Sequence, residues 1–175
     1  MDTKTIGLVM RTPLGWVAAA ECEGVIKTLT LPSQTQETAV LALRLKADFE
    51  RESCVLAYLK NDLDSYFSGK QVDFKCYRID IDGFSPFLRK VLEVAREIPY
   101  GEVRTYGWLA KKAGNPKAAR AVGQAMARNP IPLLIPGHRV VAANGGLGGC
   151  GGGLKLKRAL LELEGVRLPK SREGK

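Results

Sequence analysis

Histidine is nearly missing from this 175-residue chain: His138 is the single one. The four cysteines, Cys22, Cys54, Cys76 and Cys150, are scattered and form no CxxC pair. A zinc site built from protein histidine and cysteine is therefore not expected, and neither is a disulfide framework. No apolar run approaches the ~18 residues that a membrane helix needs, so no membrane partner is expected. The first dozen residues, Met1 to Thr12, lack the charged start and apolar block of a signal peptide; a cytoplasmic protein is the expectation. Disorder is excluded by the opposite observation. At 45% hydrophobic residues the chain can bury a core, and its length suits one compact domain or two small ones.

Acidic charge is scarce in one half only. Residues 1–83 carry 10 basic and 12 acidic side chains, whereas residues 84–175 carry 17 and 6, a net charge of +11. A generally basic protein has no reason to confine its excess to one half. On charge alone the C-terminal half reads either as a binder of polyanions or as a solvated basic surface.

The first half reads as strands followed by a helix. Thr5–Val9, Trp16–Ala20 and Val25–Leu31 are rich in β-formers and small residues, and turns at Pro13-Leu14-Gly15 and Glu23-Gly24 join them into an antiparallel meander. Val55, Leu56, Leu59, Leu63 and Phe67 then fall at helical spacing, with Gly69 as the stop. Phe74–Ile81 alternates and is expected as a closing strand. Residues 1–83 thus read as a small α+β domain, with strands first and helix after.

From residue 84 the signals turn helical. Ser85-Pro86 is a cap followed by proline at the first helical position, and Phe87, Leu88, Val91, Leu92, Ala95 and Ile98 mark one face. Thr105 caps a short helix that Gly114 ends. Asn115-Pro116 repeats the cap-plus-proline signal and is expected to open an alanine-rich helix that stops near Asn129-Pro130. Two short helices around a Gly-Asn-Pro turn suggest a helix-turn-helix or a plain helical corner. Ile131 to Pro136 is expected to be buried and extended. Gly145 to Gly153 holds seven glycines in nine positions, with Leu147 and Cys150 between them. This segment is either a flexible linker or a loop whose backbone lies against a ligand. A last helix over Leu154–Glu164 ends at Gly165, with Leu156, Ala159, Leu160 and Leu163 expected inward. Residues 84–170 make the second domain, and 171–175 are expected to be a disordered tail.

The run Pro99-Tyr-Gly-Glu-Val-Arg-Thr-Tyr106 is followed by Ala113-Gly-Asn-Pro-Lys-Ala-Ala-Arg-Ala-Val122 and Asn129-Pro130. Ile135-Pro-Gly-His-Arg-Val-Val141 and Gly152-Gly-Leu with Glu164 complete the set. In order and spacing these resemble the O6-alkylguanine-DNA alkyltransferases, the methylated-DNA–protein-cysteine methyltransferases, over residues 84–168. The resemblance implies a ribonuclease-H-like α/β first domain. It implies a mainly helical second domain whose helix-turn-helix enters the minor groove of duplex DNA. A damaged guanine is flipped out and its alkyl group passes to a cysteine, once per molecule, with no cofactor.

One position departs from the family. Its acceptor cysteine lies in Pro-Cys-His-Arg, and here the motif is Pro136-Gly137-His138-Arg139. Gly137 has no side chain to act as a nucleophile. His138 and Glu164 match the histidine and glutamate that would activate the thiol, leaving a relay with nothing to activate. By the same match Tyr106 would lie beside the flipped nucleotide's phosphate. Arg120 would fill the gap in the stack, and Asn129 would hold the active-site turn. Lys117, Ala119, Gly123 and Arg128 complete the expected DNA face. Met126, Val140, Leu147, Cys150 and Gly151 join Tyr106, Asn129 and Gly137 around the base pocket. Cys150 reads as a small apolar loop residue rather than a substitute acceptor.

Two readings fit these residues, the first being the expected one and the second its alternative. One is a monomeric sensor that binds O6-alkylguanine in duplex DNA without alkyl transfer, as the alkyltransferase-like proteins do, and hands it to nucleotide excision repair. The other is a methylated-DNA–protein-cysteine methyltransferase inactivated at its acceptor position. An ordinary helix-turn-helix regulator would need no glycine-rich loop.

Overall fold

The computed structural model describes residues 4–149 and 151–167. The chain forms two compact units: residues 1–83 with 130–134, and residues 84–129 with 135–175. The departure from a purely sequential division is the five-residue segment Pro130–Leu134. The Pro130 carbonyl accepts the Leu29 N–H at 3.1 Å and the Thr28 hydroxyl at 3.0 Å, which counts this segment with the first unit.

In the first unit, β1 (Ile6–Thr12), β2 (Gly15–Cys22) and β3 (Val25–Leu29) form the antiparallel meander. Glu23 and Gly24 both have positive φ, 53° and 77°, as a two-residue hairpin turn requires. Ala18 and Ala20 of β2 pack against Ala39 and Leu43, so the small residues of this strand admit a helix close to the sheet. That helix is α1 (Gln36–Ala42), which the sequence did not signal. Its capping box uses Thr35 and Thr38, in place of the usual Glu or Gln at the third position. The long helix α2 (Cys54–Phe67) buries Leu56, Leu59, Leu63, Tyr66 and Phe67.

The strand expected over Phe74–Ile81 is corrected. Phe74–Cys76 is a 3₁₀ turn capped by Asp73, and only Arg78–Ile79 (β4) pairs, parallel to β3. Phe74 and Tyr77, three residues apart, both turn inward, and Phe74 meets the Tyr66 ring at 5.8 Å. Spacing of three suits a turn of helix, not a pleat.

The second unit is helical around a two-residue parallel pair. Helix α3 (Pro86–Arg96) starts on the Ser85 cap and buries Val91, Leu92 and Ala95. β5 (Arg104–Thr105) runs into α4 (Tyr106–Lys112), capped by the Thr105 hydroxyl. Helix α5 (Ala119–Ala127) begins three residues later than Asn115-Pro116 suggested. The Asn115 carboxamide accepts the Lys117 N–H and its carbonyl accepts the Ala118 N–H, so these residues make a turn before the helix. The segment after α5 is buried as expected but not extended: Leu133 has φ of 73° and turns the chain. β6 (Val140–Val141) pairs Arg104 with Val140 and Thr105 with Val141. Helix α6 (Leu154–Leu163) closes the unit. Its fully buried positions are Lys157, Leu160 and Leu161, whereas Leu156, Ala159 and Leu163 are half-buried. The tail over 171–175 lies outside the described residues.

Candidate active site

The β5–β6 pair brings the start of α4 beside the segment that follows Pro136. Gly137–Arg139 forms a 3₁₀ turn that leads directly into β6. Behind this turn lies the buried carboxylate of Glu164, the C-cap residue of α6. It accepts His138 Nε2 at 2.6 Å, Arg139 Nε at 2.9 Å and Nη2 at 3.0 Å, and the Gly101 N–H at 3.1 Å. Arg139 also donates to the Ile98 carbonyl at 2.6 Å, and the Tyr100 hydroxyl donates to the Leu163 carbonyl at 3.1 Å. The resemblance to the alkyltransferases pairs His138 with Glu164. The structure adds Arg139 as the fork that fixes the glutamate and Gly101 as a backbone donor.

Burial pushes the His138 pKa below its ordinary 6.5, against the pull of Glu164, so the imidazole is neutral. Burial works the other way on Glu164, and the hydrogen bonds of His138 and Arg139 overcome it, holding the carboxyl at about 2. A neutral imidazole facing an ionised carboxylate carries its proton on Nε2, which leaves Nδ1 as the basic nitrogen. The arrangement can accept one proton from a neighbouring group.

A Cβ placed on Gly137 would lie 3.5 Å from Asn129 Nδ2, 3.7 Å from Met126 Sδ and 3.9 Å from the Met126 carbonyl. These are ordinary contacts, and Gly137 is not among the positive-φ glycines. The backbone therefore accepts an L side chain here without strain. Asn129 Nδ2 donates to the Ile135 carbonyl at 2.7 Å, which ties the end of α5 to the turn before Gly137. Met126, Asn129 and Gly137 are thus brought together.

Tyr106 stands at the other side. Its ring touches the positions that side chains would occupy at Gly123, 3.9 Å away, and at Gly148, 2.7 Å away. Its hydroxyl donates to the Gly149 carbonyl at 3.1 Å. The glycine-rich segment thus packs by its backbone on an aromatic face. Gly151 continues along α5, where its Cβ position would lie 3.6 Å from the Ala127 carbonyl. Val140 is fully buried, and its carbonyl rather than its side chain takes part, as an acceptor for Lys157. Leu147 is half-buried. Cys150 lies outside the described residues, and the sequence has no other cysteine after residue 83. Cys22, Cys54 and Cys76 belong to the first unit and stand outside any disulfide.

On α5, Arg120, Gln124, Ala127 and Arg128 are exposed at a spacing of one helical face, with Lys117 exposed just before the helix. Ala119 and Gly123 are half-buried beside that face. Lys157 gives no signal in sequence, because a lysine within an amphipathic helix reads as solvent-facing. Trp108 on α4 gives none either; the Arg104 guanidinium lies 5.4 Å and the Lys112 ammonium 5.7 Å from its ring centre. Among the described residues no cluster of His, Cys, Asp and Glu could hold a metal ion. None of the described helices is long and apolar enough to cross a membrane.

Residues 86–166 match the family model of the 6-O-methylguanine DNA methyltransferase DNA-binding domain. The methylated-DNA–protein-cysteine methyltransferase of Mycobacterium leprae is 39% identical over 155 residues, covering 89% of each chain. The crystal structure of Mycobacterium tuberculosis O6-methylguanine methyltransferase superposes with a TM-score of 0.75 at 34% identity, covering 95% of this chain and 96% of that one. The M. tuberculosis protein solved in complex with DNA gives 0.77 at 36% identity, covering 94% and 95%. The enzyme of Pyrococcus kodakaraensis gives 0.71 at 28%, covering 93% and 99%. The chain therefore belongs to the methylated-DNA–protein-cysteine methyltransferase family of DNA-repair proteins, and its second unit carries that family's DNA-binding domain.

Proposed function

We propose that this chain is a methyltransferase framework for O6-alkylguanine repair that is disabled at its acceptor position, residue 137. The observation that carries the reading is the geometry at Gly137. A Cβ fits there at ordinary distances, next to a buried His138–Glu164–Arg139 relay. Relatives that match over nearly their whole length, and are named as methyltransferases, support this reading over a sensor that never carried out transfer.

In this reading the first unit is ribonuclease-H-like. Helices α4 and α5 act as the helix-turn-helix in the minor groove of duplex DNA, where Ala119 and Gly123 allow close approach. Lys117 and Arg128 hold phosphates, Arg120 fills the stack, and the flipped base enters between Tyr106 and Gly137. Direct displacement at an alkyl carbon requires a thiolate, and a glycine offers none. The sensor reading shares every step up to that point and departs from it only there, since hand-over to nucleotide excision repair then replaces chemistry.

Incubation with a duplex carrying labelled O6-methylguanine is expected to leave the protein unlabelled. Gly137→Cys is expected to take up the label in a single turnover. A Gly137→Cys variant that binds the lesion but stays unlabelled would favour the sensor. Stoichiometric labelling of the unaltered chain would overturn both readings, and its loss in Cys150→Ser would assign the acceptor to Cys150.

A further inference from the structure

Lys157 is fully buried, and no other described lysine is. Its ammonium donates to the Val140 carbonyl and, at 3.3 Å, to the Gly149 carbonyl. It also lies 5.8 Å from the centre of the Tyr106 ring. The Gly149 carbonyl is the same one that accepts the Tyr106 hydroxyl. One cation therefore stands behind three parts of the pocket: the strand that follows the Gly137–Arg139 turn, the glycine-rich segment, and the tyrosine. An apolar side chain of equal length would fill the same core space without desolvating a charge, so packing alone does not account for a lysine here. Backbone carbonyls presented by a glycine-rich segment have no side chains of their own to fix them. A buried cationic donor supplies that fixing from outside the segment. The same cation adds to burial in favouring the neutral form of His138.

We propose that Lys157 is a positioning residue for base recognition. Its ammonium fastens the Gly149 carbonyl to β6 and holds Tyr106 in register, so discrimination of lesion from undamaged DNA depends on it while the general grip on DNA does not. The groups that would grip the backbone, Lys117 and Arg128, are exposed and belong to other elements. This inference rests on the proposed function of the site.

The test measures binding to matched duplexes with and without one O6-methylguanine, for the full chain, Lys157→Met, Lys157→Arg, Tyr106→Phe and the Lys157→Met/Tyr106→Phe double variant. Lys157→Met is expected to lower the lesion-to-undamaged affinity ratio at least fivefold and to change affinity for undamaged duplex less than twofold. Because both side chains act on one carbonyl, the double variant is expected to lose no more than the worse single variant, within twofold. Should Lys157→Met fail to fold, Lys157→Arg carries the test. It keeps a cationic donor, but its bulk displaces the Gly149 carbonyl, and at least a threefold loss of the ratio is expected. A folded variant with an unchanged ratio, an equal loss on both duplexes, or additive losses in the double variant would overturn the inference alone. An unaltered chain that binds both duplexes equally would overturn the proposed function and this inference with it.

Discussion

At the scale of single residues the second unit is organised around one carboxylate. Glu164 collects donors from His138, Arg139 and Gly101, and so ties the turn after Pro136 to the end of α6 and to the loop after α3. The arrangement has a pH signature. His138 is neutral in the fold, while in the unfolded chain it takes a proton near its ordinary 6.5. Below that pH the unfolded state binds the extra proton, and stability falls with a limiting slope of about 1.4 kcal/mol per pH unit. Glu164 is depressed to about 2, so its contribution is complete above its ordinary 4.5 and is lost as pH falls from there toward 2. Urea midpoints are expected to be flat between about pH 7 and 9 and to fall in two windows below that range. Since His138 is the sole histidine, no other imidazole can produce the first window. His138→Gln is expected to flatten it between pH 5 and 7, with the variant less stable at neutral pH. A first window that survives unchanged in His138→Gln would show that the imidazole is not held neutral.

At the scale of elements the glycine-rich segment behaves as a surface pressed on Tyr106 rather than as a linker. Gly148 has φ of 68°, and a Cβ there would meet the Tyr106 ring at 2.7 Å and its hydroxyl at 2.9 Å. Gly149, one residue on, has nothing within 4 Å of its Cβ position. Gly148→Ala is expected to cost about 1–2 kcal/mol from backbone strain, and more from the displaced ring. Gly149→Ala is expected to cost less than about 0.5 kcal/mol. Thermal unfolding of the pair checks this, and equal losses would mean the segment is not seated on Tyr106. The same contrast explains what was legible in the sequence. Ser85-Pro86 and Thr105 mark helix starts correctly, because the Ser85 and Thr105 hydroxyls each accept an N–H of their own helix. Asn115-Pro116 carries the same signature, but its polar groups are taken by a local turn, and α5 opens on Ala118 with no side-chain cap. His138 and Glu164 are legible as a pair only through the family resemblance. Lys157 is not, because its burial is created by Val140 and Gly149, which reach it from outside its own helix.

At the scale of the whole molecule the charge distribution decides how DNA is held. The excess of 17 basic over 6 acidic side chains belongs to residues 84–175, and residues 1–83 are close to neutral. Part of that excess is internal: Arg139 is buried against Glu164, and Lys157 is spent on two carbonyls. Neither can meet a phosphate. Lys117, Arg120 and Arg128 are exposed along one helix and its approach, as are Lys111 and Lys112 at the end of α4. About five phosphate contacts from such a set would release enough counterions to make log K fall against log salt with a slope of about −4 to −5. Two kinds of variant then separate grip from recognition. Lys117→Ala or Arg128→Ala is expected to reduce the slope by about 1 and to weaken lesion and undamaged duplexes alike. Arg120→Ala is expected to weaken lesion binding preferentially, because extruding a base costs a few kcal/mol that a side chain filling the stack helps to offset. Fluorescence anisotropy of the two duplexes over a salt series spanning roughly 50 to 300 mM reads both effects. A salt-independent affinity would remove the phosphate grip altogether. An Arg120→Ala variant that binds the lesion as tightly as its parent would leave the grip intact but take α5 out of the minor groove.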